Sequence, residues 1–467
     1  MAKLHEECGI FAISGTSGRD LATDTYYGLF ALQHRGQEGA GIAINRKGHM
    51  SIHKDLGLVS KVFNAETLTP LAGANMSLGH VRYSTTGSNQ RANVQPLVIN
   101  HLEGSLALAH NGNLTNDNVL RTRLEKTGCI FHTTSDTEVI AYILTGHRMK
   151  EATIEEALLK TMDEIEGAYS LVVMTQGKLL GARDPKGFRP LCIGKVDGHY
   201  IISSESCAID AIGGEFIRDI QPGEMVTIQN DELKSDTSHC GLPRSLCVFE
   251  LIYFARPDSK IDGISVHQAR IRAGGFLALE HPIQADVVIG VPDSGIDAAI
   301  GYSRQSGIPY EIGMIKNKYI GRTFIQPGQL DRERAVTMKL NPITSVVKGK
   351  RIILVDDSLV RGTTSKKLVK LLRSKGAKEV HFLSSAPKFL YPCYFGTDID
   401  SSENLFAYKY TDEEMKKILN VDSIGFLSTD SVIKLADIKS EGFCTACFTG
   451  KYPVKVDQTG KKEKYDK

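Results

Sequence analysis

"IILVDDSLVRGTTS", residues 352–365, is the stretch on which the fold turns. An apolar run delivers two adjacent carboxylates, Asp356 and Asp357, and the chain then bends through Arg361 and Gly362 into residues with helix-like spacing. A continuously apolar strand that opens into a helix is the repeating unit of a parallel sheet covered on both faces. The same rhythm recurs on either side: "ADVVIGVP" (285–292) leads into "DSGIDAAIGYSRQSG" (293–307), and "KEVHFLSSAP" (378–387) follows the helix after Gly362. The second half of the chain therefore reads as α/β.

The chemistry of the turn is specific. A glycine at 362 lets backbone amides approach an anion, Thr363 and Thr364 offer hydroxyls, and a helix start presents free N–H groups with the positive end of its dipole. Asp356 and Asp357 are placed to hydrogen-bond vicinal sugar hydroxyls or to hold Mg²⁺. Any one of these features is ordinary in a strand, an Asp turn or a Thr-capped helix; their coincidence is not. Residues 316–342, rich in Lys and Arg, exceed the usual length of a connection and suit a lid over an anion.

Ahead of Val266 the pattern is different. Short alternating runs, "CGIFAIS", "GIAIN", "SLALAHNG", "YSLVVMT", "HYIISS" and "GEMVTIQ", predict strands, with helices over 115–126 and 135–148. The polar piece at 230–245 is the expected linker. Two or three domains suit 467 residues, of which 41% are apolar. A formal charge of +2 gives no field that would imply a nucleic-acid or membrane partner. No apolar run reaches the roughly 18 residues of a membrane span, and "MAKLHEE" (1–7) lacks the apolar core of an export signal. Nine unpaired-looking cysteines then point to a cytoplasmic chain with thiols, metal ligands or nucleophiles.

The 352–365 stretch closely resembles the phosphoribosylpyrophosphate (PRPP) signature of the type I phosphoribosyltransferases. That resemblance implies that Arg361, Gly362, Thr363, Thr364 and Ser365 cradle the 5-phosphate while Asp356 and Asp357 face the ribose and its magnesium, with Ser358 also among the PRPP-binding residues. "GVPDSG" (290–295) matches the pyrophosphate loop of that fold and puts Ser294 near the metal. The 316–342 stretch resembles the family's flexible loop, with Lys316, Lys318 and Arg322 as pyrophosphate contacts.

Cys8 gains a role from its surroundings. A thiol at the N-terminus carries its own base, because an α-amine titrates near pH 7.7–8.0. Removal of residues 1–7 as a propeptide would create that terminus. "CGIFAI" (8–13), "LQHRGQEGAG" (32–41), "GHVRYSTTG" (79–87), "HNGNL" (110–114) and "TTSDTE" (133–138) occur in the order of the N-terminal-nucleophile glutamine amidotransferases, which they resemble. The resemblance implies that Arg82 binds the α-carboxylate of glutamine and Asp136 its α-ammonium. Asn111 and the N–H of Gly112 would form the oxyanion hole, and Arg35 would order the loop around the nucleophile at the edge of the glutamine site.

Cys444 and Cys447 form a C-x-x-C; Cys247 and Cys393 stand apart. Four thiolates suit zinc or an iron–sulfur cluster, and spacing alone favours structural zinc, with a redox C-x-x-C third. The flanking "FCTACFTGKYP" (443–453) and "IYFARPDS" (252–259) resemble the bacterial iron–sulfur glutamine PRPP amidotransferases, which implies one [4Fe–4S] cluster on these four cysteines beside one Mg²⁺ per subunit. Cys129, Cys192, Cys207 and Cys240 match no ligand position and are expected to be buried.

Together these resemblances imply an α+β N-terminal-nucleophile domain (αββα sandwich, 8–240), followed by an α/β phosphoribosyltransferase domain with a cluster-binding tail (241–467). The implied activity is amidophosphoribosyl transfer from glutamine and PRPP, entering purine synthesis, with ammonia channelled past Tyr83 and Tyr253. A homotetramer inhibited by purine nucleotides is implied as well. A glutamine-dependent sugar-phosphate synthase would share the front half but have no use for "VDDSLVRGTT". A catalytically dead nucleotide or redox sensor would have no need of intact Cys8, Asp356 and Asp357.

Overall fold

The computed structural model describes residues 8–15, 18–83, 90–317, 340–399, 401–436 and 442–456. The expected propeptide, Lys318 and Arg322 lie outside them.

The first half is built on two antiparallel sheets. One has seven strands, in the order Glu215–Asp219, Cys192–Val196, His199–Ser203, Gly9–Ser14, Met76–Arg82, Gly39–Arg46 and His49–Leu56. The other has six: Glu232–Asp236, Met225–Gln229, Leu179–Arg183, Gly167–Met174, Gly104–Leu114 and Leu97–His101. Alternation along each strand assigns the layers, since successive side chains leave opposite faces. Ile10 and Ala12 join Leu78, Ala109, Val172 and Ile228 in the core between the sheets. Phe11 and Ile13 pack outward with Leu21 and Leu29 of the helix Leu21–Ala31. On the far side, Leu108, Leu171 and Val173 meet Ile140, Leu144 and Leu158 of the helices Asp136–Arg148 and Ile154–Glu164. The result is the expected αββα sandwich.

The expected linker is only partly one. Glu232–Asp236 pairs antiparallel with Met225–Gln229 as an edge strand, reversing at Asn230 and Asp231, whose φ values are 52° and 60°. Two adjacent left-handed residues make the two-residue hairpin turn that Asn and Asp tolerate. The strand reads as polar because it lies at the sheet edge with most of its side chains in water.

The second half carries a four-stranded, all-parallel sheet ordered Val287–Gly290, Arg351–Asp356, Glu379–Ser384 and Ser423–Phe426. Ile289, Ile352 and Leu354 face Leu368 and Leu372 of the helix Thr363–Ser374. Val288, Ile353 and Val355 face Ala273 and Leu277 of the helix Val266–Glu280, and Ala298 and Tyr302 of the helix Ile296–Ser306. Both faces are therefore covered, as the continuous apolar runs require.

The halves share one core. Ala168 and Phe188 of the first pack with Leu246 to Phe448 of the second, and the Phe188 and Phe395 rings stack with centroids 4.3 Å apart. Arg183 binds Asp262 through two bonds of 2.7 and 2.9 Å. Of the cysteines expected to be buried, Cys192 and Cys207 are, while Cys129 and Cys240 are half-buried in turns. Among the described residues no helix is long and apolar enough to cross a membrane.

Candidate active sites

Cys8 sits just ahead of the strand Gly9–Ser14, buried, with its thiol 3.5 Å from the carbonyl oxygen of Tyr83. The antiparallel register that pairs Gly9 with Val81 and Ile10 with His80 brings Cys8 beside Arg82, at the end of the next strand. Arg82 is buried there. His80 then reaches the other sheet, its Nε2 lying 3.2 Å from the carbonyl of His110.

The strand Gly104–Leu114 carries Asn111 and Gly112. Its partner Leu97–His101 pairs with it only as far as Leu108, so its last residues have a neighbouring strand on one side alone. On the open edge the N–H of His110 donates to Gln95 Oε1 at 2.7 Å and that of Leu114 to Asp136 Oδ2 at 3.0 Å. Strand alternation puts the N–H of Gly112 on the same edge, between them. Gly112 has φ of +142°, and a Cβ there would fall 2.1 Å from the carbonyl oxygen of Ala168, so only glycine fits. Beside it, Asn111 Nδ2 is buried with no hydrogen-bond partner. A buried amide donor left unmade costs about 1–3 kcal/mol, so Asn111 Nδ2 stands available to an incoming acceptor.

Asp136 opens the helix Asp136–Arg148 behind the N-cap Ser135 and lies 3.4 Å from His110 Nδ1. Burial by itself would raise this carboxyl; the charge and hydrogen bond of His110, with the N–H groups of Leu114 and Thr137, take it below its ordinary value. Arg35 is wholly buried and committed elsewhere. Its Nε donates to the carbonyl of Cys8 at 3.0 Å, Nη1 to Glu205 at 2.6 Å, and both Nη atoms to Glu250 at 2.9 and 2.7 Å. Glu205 would be raised by burial, yet His34 and Arg35 hold it far below the usual carboxylate range. Arg189 extends this ionic chain from Glu250 to the carbonyl of Phe395. The geometry gives Arg35 a hold on the peptide of Cys8 itself.

Glu205, Glu250 and Arg189 were missed in reading the sequence. Glu250 interrupts the apolar run "VFELIYF" (248–254), and a charge inside such a run signals a buried partner. Arg270, also missed, is buried under the second site and donates to the carbonyls of Leu251 and Ala255 at 2.9 and 2.7 Å.

The second site forms where the parallel strands end. Asp356 closes Arg351–Asp356, and Gly362, with φ of +73°, caps the helix Thr363–Ser374. Arg361, Thr363 and Thr364 thus stand at a helix start, in the open end of an α/β sheet. Ser294, from the turn after Val287–Gly290, hydrogen-bonds Asp357, as does Ser358. Lys316 forms an ion pair with Asp293. Burial pushes both carboxyls up, Asp356 further because Asp357 adds its charge. Two adjacent carboxylates and two hydroxyls are hard oxygen donors of the kind Mg²⁺ takes.

Cys247, Cys393, Cys444 and Cys447 line one cavity, walled by Phe188, Phe249, Phe389 and Phe395. Cys247 and Cys444 face each other in a short parallel ladder, and the N–H of Phe395 lies 3.4 Å from Cys393 Sγ. Burial, together with the other three thiols, pushes Cys447 well above an ordinary thiol. Among the described residues no three His, Cys, Asp or Glu side chains converge closely enough to hold a single ion. Tyr83 is buried beside Cys8, and Tyr253 packs against Phe249 with ring centroids 5.7 Å apart.

Comparison with known proteins matches a family to each half of the chain. A glutamine amidotransferase domain family matches residues 80–211, and a phosphoribosyl transferase domain family matches residues 265–388. The amidophosphoribosyltransferase of Methanocaldococcus jannaschii is 48% identical, over 96% of this chain and 98% of its own. A solved structure of the Bacillus subtilis glutamine PRPP amidotransferase complexed with ADP and GMP is 45% identical with a TM-score of 0.89, covering 97% of this chain and 98% of that one. Another, described as the allosteric regulatory enzyme of purine biosynthesis, is 46% identical with a TM-score of 0.90, covering 97% of each chain. With a two-sheet sandwich and a parallel α/β sheet joined through one core, and 45–48% identity to such enzymes over nearly the whole chain, the chain belongs to the amidophosphoribosyltransferase family of purine biosynthesis.

Proposed function

We propose that the chain hydrolyses glutamine at Cys8 and delivers the ammonia internally to PRPP, where it displaces pyrophosphate from C1 to give 5-phosphoribosylamine. The observation that carries the reading is Asn111 Nδ2, a buried donor without an acceptor beside a glycine-only Gly112. Such a pair suits the oxyanion of a tetrahedral intermediate. Removal of residues 1–7 frees the α-amine of Cys8, which takes the thiol proton as sulfur attacks the amide carbon and returns it to the departing ammonia. Water then hydrolyses the thioester to glutamate. Arg82 binds the α-carboxylate and Asp136 the α-ammonium of glutamine, and Arg35 holds the nucleophile's backbone.

At the second site Arg361 to Thr364 hold the 5-phosphate, with Asp356, Asp357 and Ser358 at the ribose. Asp356, Asp357 and Ser294 would hold the Mg²⁺, which neutralises charge on the departing pyrophosphate when bound. Lys316, with Lys318 and Arg322, neutralises the rest. Tyr83 and Tyr253 line the path between sites, where exclusion of water keeps ammonia unprotonated. The four cysteines hold a structural [4Fe–4S] cluster; a cubane asks for thiolates spaced more widely than a single ion does. Domains at 8–240 and 241–467, a cytoplasmic homotetramer, and inhibition by purine nucleotides competing through their ribose 5-phosphate at 356–365 complete the reading. The Bacillus subtilis neighbour's complex with ADP and GMP supports the last of these.

Glutamine labelled with ¹⁵N in its amide, supplied with excess unlabelled ammonium, tests the two-site reading. Undiluted ¹⁵N in the product supports it, and label diluted to the ratio of the two nitrogen pools overturns internal transfer. Mass spectrometry of the active enzyme should find Cys8 as its first residue, and analysis should find about four irons per chain. One zinc in a colourless, active enzyme would restore the reading from spacing.

A further inference from the structure

We propose that the backbone segment Tyr394–Gly396, carried by the phosphoribosyltransferase half, positions the oxyanion hole of the glutaminase half by bracing Gly112 through Asn113. The proposal rests on the reading of Asn111 and Gly112 as oxyanion donors. Three successive residues of that segment make the contacts. The carbonyl of Tyr394 accepts a 3.0 Å hydrogen bond from Asn113 Nδ2. The carbonyl of Phe395 accepts from Arg189, Nε at 3.1 Å. A Cβ placed on Gly396, at φ of +109°, would lie 3.4 and 3.5 Å from the carbonyl carbon and Cα of Gly112 and 3.0 Å from Arg189 Nη2.

The need for a brace follows from the sheet. Residues 109–114 have a neighbouring strand on one side only, and Gly112 already lies hard against the Ala168 carbonyl on that side. A glycine at an unpaired strand edge has backbone freedom that other residues lack. Oxyanion donors, in contrast, must sit within a few tenths of an ångström of the developing charge. Tyr394–Gly396 supplies the missing support, and Asn113 ties the two backbones together. Arg189 continues from the same segment to Glu250, and Arg35 from Glu250 to the carbonyl of Cys8. One stretch of the synthase half therefore reaches both the oxyanion donors and the nucleophile. Asn113 is a positioning residue, since it acts on Gly112 and not on substrate.

The test uses the full-length enzyme and two ligands. The γ-aldehyde of glutamate adds to the Cys8 thiol and places an oxyanion in the hole; glutamate binds the same pocket without doing so. In Asn113→Ala the aldehyde should bind about 10–100-fold more weakly, and kcat for glutamine hydrolysis should fall by a similar factor, one lost donor being worth about 10²-fold at most here. Affinity for glutamate and ammonia-dependent synthesis should stay within about twofold. Gly396→Ala, which crowds Arg189 Nη2 at 3.0 Å and strains the backbone of the bracing segment at φ of +109°, should show the same split. Asn111→Ala serves as reference. If Asn111→Ala keeps its aldehyde affinity, the oxyanion reading itself falls. If it loses affinity while Asn113→Ala and Gly396→Ala keep theirs, the brace is overturned. Equal loss of aldehyde binding, glutamate binding and ammonia-dependent synthesis in both variants would make the contact merely structural and overturn it too.

Discussion

Around Asp356 the reactive groups come from one contiguous run of strand, turn and helix, joined by a neighbouring turn that supplies Ser294. Around Cys8 they come from separate places: the start of one strand, the end of another, a third in the opposite sheet, and the first turn of a helix. The phosphate site is thus specified locally, by turn geometry and adjacent carboxylates, and should survive modest shifts elsewhere. The glutaminase site is specified by register and by buried ion pairs, with Arg35, Glu205, Glu250 and Arg189 holding its parts from beneath. One site is a motif and the other an assembly.

Cys8→Ala should separate them most completely. Glutamine-dependent synthesis is expected to fall by about 10⁴-fold or more, as for loss of a nucleophile, while synthesis from ammonium salt at high pH persists. Equal loss of both, with the protein folded, would mean that the sites are not separable. Asp357→Asn should lower synthesis from both nitrogen sources together by about 10²–10³-fold, through the lost charge at the ribose and Mg²⁺. Retention of either activity would take Asp357 out of the shared step.

Glu250→Ala probes the assembly. It strands Arg35 and Arg189 without their common carboxylate, and breaking a buried pair costs about 3–5 kcal/mol. Thermal unfolding should shift down by several degrees, with glutamine-dependent activity falling more than ammonia-dependent activity. A loss below about 1 kcal/mol would show that the ionic chain is not what holds the site. His80→Gln should produce the smallest effect. Burial, with the charges of Arg82, His110 and Lys54, takes the His80 imidazole down to about 3 despite its bond to the His110 carbonyl. The folded protein keeps it neutral while the unfolded chain protonates near pH 6.5, so its contribution is complete above pH 6.5 and is lost as pH falls toward 3. Between pH 7 and 5 the native enzyme should lose about 2 kcal/mol more than His80→Gln. Parallel stability curves would remove this group from the balance.

The same contrast explains what could be read in advance. The 352–365 stretch disclosed its strand, its turn and its carboxylates because these lie side by side in sequence, although Ser294 reaches Asp357 from 63 residues away. The five glutaminase motifs disclosed Cys8, Arg82, Asn111, Gly112 and Asp136 through their order, but not what keeps them together. Glu205, Glu250 and Arg189 act across 170, 215 and 61 residues of sequence, where no periodicity carries a signal. The edge strand Glu232–Asp236 reads as linker because a solvated strand loses the alternation by which strands are recognised.

The stacked rings of Phe188 and Phe395 carry a consequence for birth on the ribosome. At about 5–20 residues per second, the partner of Phe188 is made roughly 10–40 s after it. For that interval the nascent sandwich shows water the Phe188 ring it will later bury. Slowing translation between residues 190 and 395 should lengthen that exposure in proportion.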